Sequence, residues 1–230
     1  MRLRIKYASK EKGLLLPLHY NSLLQAWLYN TFSNKIAKFL HREGFSLDKR
    51  HFKLFVFSRI LEKGEKVHGK ELTLLKSDLG IDSNFIFKTK RSMNVEEALY
   101  FRDGFSFYFS SPKNFLIEDM ARRTVLQSGF VFLNQNVFVE SVEVLQTPTF
   151  SKKIKIKMLS PVAIYTTIET INAKKLTYYY SPHEKEFSIL AQKNAEKKYI
   201  LINGVKSNGN LKITPLYFNE KRNRSIILLP

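Results

Sequence analysis

Proton transfer near neutrality is imidazole chemistry, and this chain carries five histidines: His19, His41, His51, His68 and His183. His41 stands apart. It follows Leu40 at the end of an apolar-periodic stretch and precedes Arg42, Glu43 and Gly44, which puts it where a helix gives way to a loop. An imidazole there is reachable by substrate and can serve as a general acid or base. The plainer alternative is a histidine favoured by the helix dipole at a carboxyl end. His51 precedes an aromatic strand and sits in a charge run with Lys49, Arg50 and Lys53. His19 and His183 lie close to prolines and read as turn residues, and His68 has nothing to single it out.

The remaining groups narrow the chemistry. There is no cysteine, which excludes disulfides, thiolate zinc sites and cysteine nucleophiles. There is no Walker loop, no G-x-G-x-x-G and no H-E-x-x-H. Acids are scattered, and the adjacent pairs Glu96–Glu97 and Glu118–Asp119 read as solvated surface pairs. Metal catalysis on phosphates wants converging carboxylates, and none is evident, so no metal and no cofactor is expected. Basic residues outnumber acidic ones 38 to 20, a net charge of +18, and 19 Phe and 11 Tyr accompany them. Phosphates attract the cations and bases stack on the rings, so the expected partner is a nucleic acid. A nuclease built from these residues would cleave RNA by attack of its own 2′-hydroxyl. It would need one acid/base near neutrality and cations for the developing phosphorane charge.

These groups need a scaffold. Residues 1–7 alternate Arg2, Arg4, Lys6 against Leu3, Ile5, Tyr7, a strand pattern. Leu24, Trp27, Leu28 and Phe32 recur at helical spacing after Pro17 and Asn21. Residues 52–60 and 104–111 read as aromatic strands, and the Gly-punctuated residues 62–80 as a hairpin or loop insertion. Residues 114–127 fit a helix with Phe115, Ile117, Met120, Ala121 and Val125 inward, and residues 137–146 fit a strand. The order strand–helix–strand–strand–helix–strand is the ferredoxin-like βαββαβ unit. After Pro148 a second unit is expected. Residues 153–158 should form a strand, 182–199 a helix, and 211–218 and 225–229 further strands, after which the chain stops. The expected class is α+β, with tandem ferredoxin-like domains at 1–148 and 149–230. The second would be truncated or reduced at its C-terminus. No apolar run approaches the ~18 residues of a membrane span, and the N-terminus is no signal peptide, so a cytoplasmic protein without a membrane partner is expected.

Three stretches carry a resemblance. They are Asn21-Ser-Leu-Leu-Gln-Ala-Trp-Leu-Tyr-Asn30, then Phe39-Leu40-His41, then residues 52–58 (Phe-Lys-Leu-Phe-Val-Phe-Ser). With Met158-Leu-Ser-Pro161 and Glu184-Lys-Glu-Phe187, their order and spacing resemble the CRISPR repeat-processing endoribonucleases of the repeat-associated mysterious protein superfamily. The resemblance runs from residue 1 to about residue 218. It implies two ferredoxin-like domains and metal-independent cleavage of precursor CRISPR RNA within its repeat, leaving a 5′-hydroxyl and a 2′,3′-cyclic phosphate. It also implies roles: His41 as general acid/base, Tyr29 positioning or activating the 2′-hydroxyl, and Lys53 stabilising phosphate charge. The implied partners are precursor and processed CRISPR RNA, with an effector complex and a homodimer as further partners that fit. One departure is visible. The family's C-terminal glycine-rich loop has no counterpart before Pro230, and the chain has only nine glycines.

Geometry adds a condition. Tyr29 and His41 are 12 residues apart, so a straight helix would separate them by about 18 Å. Cooperation requires a break, and Thr31-Phe-Ser33-Asn34 offers one, with Ser33 or Asn34 capping a short second helix that carries His41. Tyr29 can equally be a core aromatic on the apolar face. Expected RNA contacts are Lys49, Arg50 and His51, then the alternating Lys153, Lys155 and Lys157, and Arg222 in a basic turn. A lysine-guarded edge strand is the bland alternative for 153–157. Two rivals stay open: a non-catalytic RNA-binding subunit of a CRISPR ribonucleoprotein, and a basic protein that condenses on any polyanion.

Overall fold

The computed structural model describes residues 1–9, 13–87, 96–158, 162–169, 175–209, 212–214 and 216. In chain order the elements are β1 (Arg2–Ser9), β2 (Leu14–Pro17), α1 (Asn21–Thr31), α2 (Asn34–Arg42), β3 (Phe45–Leu47) and β4 (Arg50–Phe52). Then come β5 (Val56–Phe57), β6 (Glu65–His68), α3 (Gly69–Asp78), β7 (Glu97–Phe101), β8 (Phe105–Ser110) and α4 (Asn114–Gln127). The last are β9 (Gly129–Phe132), β10 (Gln135–Leu145), β11 (Tyr165–Glu169), β12 (Lys175–Tyr179) and α5 (Lys185–Asn203). Contacts divide the chain into two compact units. The first is Met1–Gly44 with Lys53–Lys155, and the second is Phe45–Phe52 with Ile156–Pro230.

The first unit is built on an antiparallel sheet in the order β5-β8-β1-β10-β9. Strands β1, β5, β8 and β10 take the positions of the four strands of a βαββαβ unit, with α1–α2 and α4 as its crossovers. The alternation of β1 works as its sequence predicts. Leu3, Ile5 and Tyr7 are fully buried, while Arg4 and Lys6 reach Glu143 at 4.0 Å and Glu140 at 2.7 Å across β10. The buried face is aromatic: Tyr7 meets Trp27 edge-on at 4.4 Å and lies parallel to Phe107 at 6.2 Å. Gly104, at φ +88°, lets β8 enter beside β1, since a Cβ there would sit 2.0 Å from the Tyr7 carbonyl oxygen.

Helix α4 spans the expected residues, but its inward face is shifted. Leu116, Ile117, Met120 and Thr124 are buried, whereas Phe115 and Val125 are exposed. The 116-117-120-124 spacing gives a tighter apolar stripe than the one read from the larger side chains. The expected continuous strand at 52–60 is also broken. β4 ends at Phe52, Leu54 adopts φ +52°, and only Val56–Phe57 join the sheet. Residues 62–80 are not a loop insertion. They form β6 and α3, which join β2 and β7 around Leu15, Val67, Leu72, Leu79, Ile81, Phe87 and Ala98. The Leu72 and Leu79 spacing is helical, and the flanking glycines mask it. Buried Gln135 ties this layer to the main sheet, accepting from Leu15 N–H at 2.6 Å and donating to its carbonyl at 3.0 Å.

The second unit contains two hairpins, β3–β4 and β11–β12, and helix α5. Asp48, at φ +53°, turns β3 into β4, and its carboxylate lies 4.0 Å from the Lys197 ammonium on α5. Glu184 precedes α5 and accepts from Tyr178 Oη at 2.7 Å, so its carboxyl is held below the ordinary range by that bond and by the Ser181 N–H. Gly204, at φ +74°, closes the helix. Residues 151–158 form no strand and are exposed, because no neighbouring strand pairs with them among the described residues. The strand expected at 225–229 lies outside the described residues, as does nearly all of that expected at 211–218. Among the described residues, no helix is long and apolar enough to cross a membrane.

Candidate active site

The break between α1 and α2 is what makes a site. α1 ends at Thr31, whose hydroxyl donates back to the Trp27 carbonyl at 3.0 Å. Phe32 and Ser33 then adopt extended ψ values of 150° and 147°, and α2 starts at Asn34. The Ser33 hydroxyl makes no capping bond; instead the Ser33 N–H donates to Asp119 Oδ2 of α4 at 2.9 Å. Asp119 does from a distant helix what a capping-box carboxylate does locally. At the other end, Gly44 takes φ +63° and its N–H returns to the Phe39 carbonyl at 2.7 Å.

This turn carries Tyr29 and His41 toward each other. Their ring centroids lie 6.4 Å apart, at 80° to one another. Tyr29 also leans edge-on against Phe55 at 5.9 Å, and Phe55 packs on Phe109 at 5.6 Å. Tyr29 is therefore partly core and partly site. Its desolvation pushes the phenol above its ordinary pKa. At neutral pH it is therefore protonated and able to donate a hydrogen bond. His41 is exposed.

Lys53 closes the arrangement from the strand side. Its ammonium donates to the carbonyl oxygens of Leu40 and, at 3.3 Å, His41. These are carbonyls at the carboxyl end of α2, which lack helical partners and carry the negative end of the dipole. Lys53 thus grips the turn that holds His41.

Tyr29, Asn30, Ala37, Lys38, His41 and Arg42 line a surface pocket of about 260 Å³. That is below the ~300 Å³ at which small-molecule pockets begin. A larger cavity of about 740 Å³ lies over α3 among Glu65, Glu71, Leu74, Leu75, Tyr100 and Arg102. Its two carboxylates would repel phosphates, and it contains none of the groups just described. Among the described residues, no three His, Asp or Glu side chains are grouped as metal ligands would be.

The other candidates lie on other segments of the chain. Lys49, Arg50 and His51 lie on the β3–β4 hairpin of the second unit, all exposed, and His51 Nδ1 is 2.9 Å from Ser46 Oγ. Lys153, Lys155 and Lys157 are exposed on the irregular 151–158 segment, and Arg222 lies outside the described residues. Sequence reading passed over Lys38 and Arg42. Their signal was present, since they flank His41 at three residues before and one after on a helix without acids.

Comparison with known proteins gives the family context. Residues 145–227 match the model described as CRISPR associated protein Cas6, C-terminal. The chain is 22% identical over 225 residues to the CRISPR-associated endoribonuclease Cas6 of Pyrococcus furiosus, covering 96% of this chain and 72% of that protein. A solved structure of a CRISPR associated protein Cas6 superposes with TM-score 0.59 at 24% identity, over 91% of this chain and 74% of that one. A structure described as an RAMP protein binding different RNA substrates superposes with TM-score 0.62 at 19% identity, over 90% and 74%. Residues 145–227 are thus similar to the C-terminal domain of Cas6, and the chain shares with Cas6 and RAMP proteins an α+β fold of tandem ferredoxin-like type.

Proposed function

We propose that this protein is an endoribonuclease that cleaves precursor CRISPR RNA within its repeat, without a metal ion. The proximity of Tyr29 and His41, 6.4 Å between ring centroids across a helix break, carries this reading. The similarity to a protein named as a Cas6 endoribonuclease supports it. His41 accepts the proton of a ribose 2′-hydroxyl as its oxygen attacks the adjacent phosphorus. The bond from phosphorus to the 5′-oxygen breaks, and that oxygen takes a proton from the His41 imidazolium, so the imidazole ends the cycle as it began. The products are a 2′,3′-cyclic phosphate and a 5′-hydroxyl. Tyr29, kept neutral by burial, donates a hydrogen bond that orients the 2′-hydroxyl or a non-bridging oxygen. Lys53 steadies the end of α2 through two of its three N–H groups.

The test is cleavage of labelled CRISPR-repeat RNA in EDTA by wild type and His41→Ala. Cleavage that survives EDTA and falls at least about tenfold in the variant supports the mechanism. The neighbour described as an RAMP protein binding different RNA substrates favours a second reading, a non-catalytic RNA-binding subunit. That reading predicts binding without cleavage, unchanged in His41→Ala.

A further inference from the structure

We infer that Lys38 and Arg42 form a two-cation clamp for adjacent phosphates at the Tyr29–His41 pocket, with Arg42 on the phosphate that is cleaved. This rests on reading the pocket as a ribonuclease site. Both side chains line that pocket with Tyr29 and His41, and both are exposed. They are one turn apart on α2, which sets their Cβ atoms about 6 Å apart on one face. Among the described residues neither takes part in an ion pair. α2 contains no acidic residue, while Lys35, three positions before Lys38, continues the same line of charge. Like charges one turn apart weaken a helix. A run of them with no acid between Asn34 and Arg42, beside an imidazole and a neutral phenol, is suited to meet an anion from outside.

The cations divide the work by geometry. Two of the three Lys53 donors are engaged by the carbonyls of Leu40 and His41, so its ammonium is largely committed to the helix end. Arg42 follows His41 directly and carries a planar fork that matches two non-bridging oxygens of a single phosphate. In the transition state the charge on those oxygens grows, so Arg42 stabilises the reaction more than the ground state. Lys38 supplies a point charge to the next phosphate along the strand, which is uniform binding.

The experiment uses the full chain, a panel of labelled CRISPR-repeat RNAs, and the cleaved RNA remade with a 2′-deoxyribose at the scissile position. Arg42→Ala and Arg42→Gln should lower kcat by about 100-fold with little change in KM, and Arg42→Lys should recover only part of it. Lys38→Ala should raise KM with kcat held, and should reduce the salt slope of binding to the uncleavable RNA by about 0.7. Circular dichroism of each variant should match wild type. If His41→Ala abolishes cleavage while the Arg42 variants keep the wild-type kcat, the clamp is wrong and the ribonuclease reading stands. An unchanged salt slope in Lys38→Ala likewise overturns the clamp. If wild type cleaves no RNA of the panel, the ribonuclease reading falls; if His41→Ala cleaves as wild type does, this pocket is not the catalytic site; either result overturns this inference.

Discussion

Asp119 Oδ2 accepts the backbone N–H of Ser33 at 2.9 Å, fastening α4 to the start of α2. The bond joins residues 86 positions apart, and it fixes the angle at which the chain leaves α1. Every distance in the Tyr29–His41 pocket depends on that angle. Asp119→Ala removes a charge-assisted cap, worth about 1 kcal/mol. The melting temperature should fall by roughly 2–4 °C. The kcat for repeat RNA should fall more than that loss of folded protein accounts for, with KM little changed. A kcat unaltered in folded Asp119→Ala would show that the interhelical angle is held by packing alone.

Lys53 makes a second prediction about position. Its ammonium holds the carbonyls of Leu40 and His41, so Lys53→Ala should let the last turn of α2 drift. Misplacing a catalytic group by about an ångström can reduce rate by up to ~100-fold, so kcat should drop while the salt slope of RNA binding stays at the wild-type value. Lys53→Arg keeps donors in reach of the carbonyls and should restore much of the rate. A salt slope reduced in Lys53→Ala would place the ammonium on a phosphate instead.

The sequence made the helix break legible, because the chemistry demanded one and Ser33-Asn34 supplied residues suited to it. It also made β1, α1 and the span of α4 legible, because each repeats at the period of its own element. What it could not display was long-range. Asp119 read as half of a surface pair, and only the fold brings it to Ser33. Lys53 read as a phosphate-stabilising cation on a continuous strand, yet Leu54 breaks that strand with a left-handed backbone at φ +52°. The alternation at 153–157 is a true period-2 pattern without a partner strand among the described residues, so it stays irregular. Period alone cannot form a sheet when the ladder bonds have no neighbour. Lys38 and Arg42 were overlooked because single cations on a basic chain look alike until a pocket selects among them.

Tyr7 supplies a prediction about stability and pH. Its ring is fully buried and its hydroxyl has no hydrogen-bond partner. The Thr124 hydroxyl, which could serve it, is turned to Met120 Sδ at 3.8 Å. Burial pushes the phenol far above its ordinary value, with the nearby Thr124 hydroxyl, which makes no hydrogen bond to it by geometry, offsetting only part of that rise. In the unfolded chain it ionises near pH 10; in the folded protein it holds its proton to far higher pH. Below about pH 10 the phenol is neutral in both states, and its contribution is fully present. Above that, the unfolded state alone loses the proton, and stability declines by about 1 kcal/mol at half a unit beyond the unfolded value. Tyr7→Phe should be neutral or stabilising at pH 7, since it removes an unsatisfied polar group. It should also blunt the alkaline loss seen in urea midpoints between pH 8 and 10.5. Equal alkaline loss in both proteins would mean that the hydroxyl finds a partner when ionised.

Tyr29→Phe separates the two roles of that ring. The substitution keeps the contact with Phe55, so melting temperature should change by less than about 2 °C. It removes a neutral donor beside His41, and kcat on repeat RNA should fall by about tenfold, the order expected for loss of one orienting hydrogen bond of 1–1.5 kcal/mol. The phenol is raised above its ordinary range, so it keeps its proton throughout the neutral region and contributes no ionisation there. The pH–rate profile of the variant should therefore be displaced downward without a change of shape between pH 6 and 9. If the alkaline limb moved in Tyr29→Phe, the phenol would itself be titrating in the reaction, and Tyr29 rather than His41 would be the base.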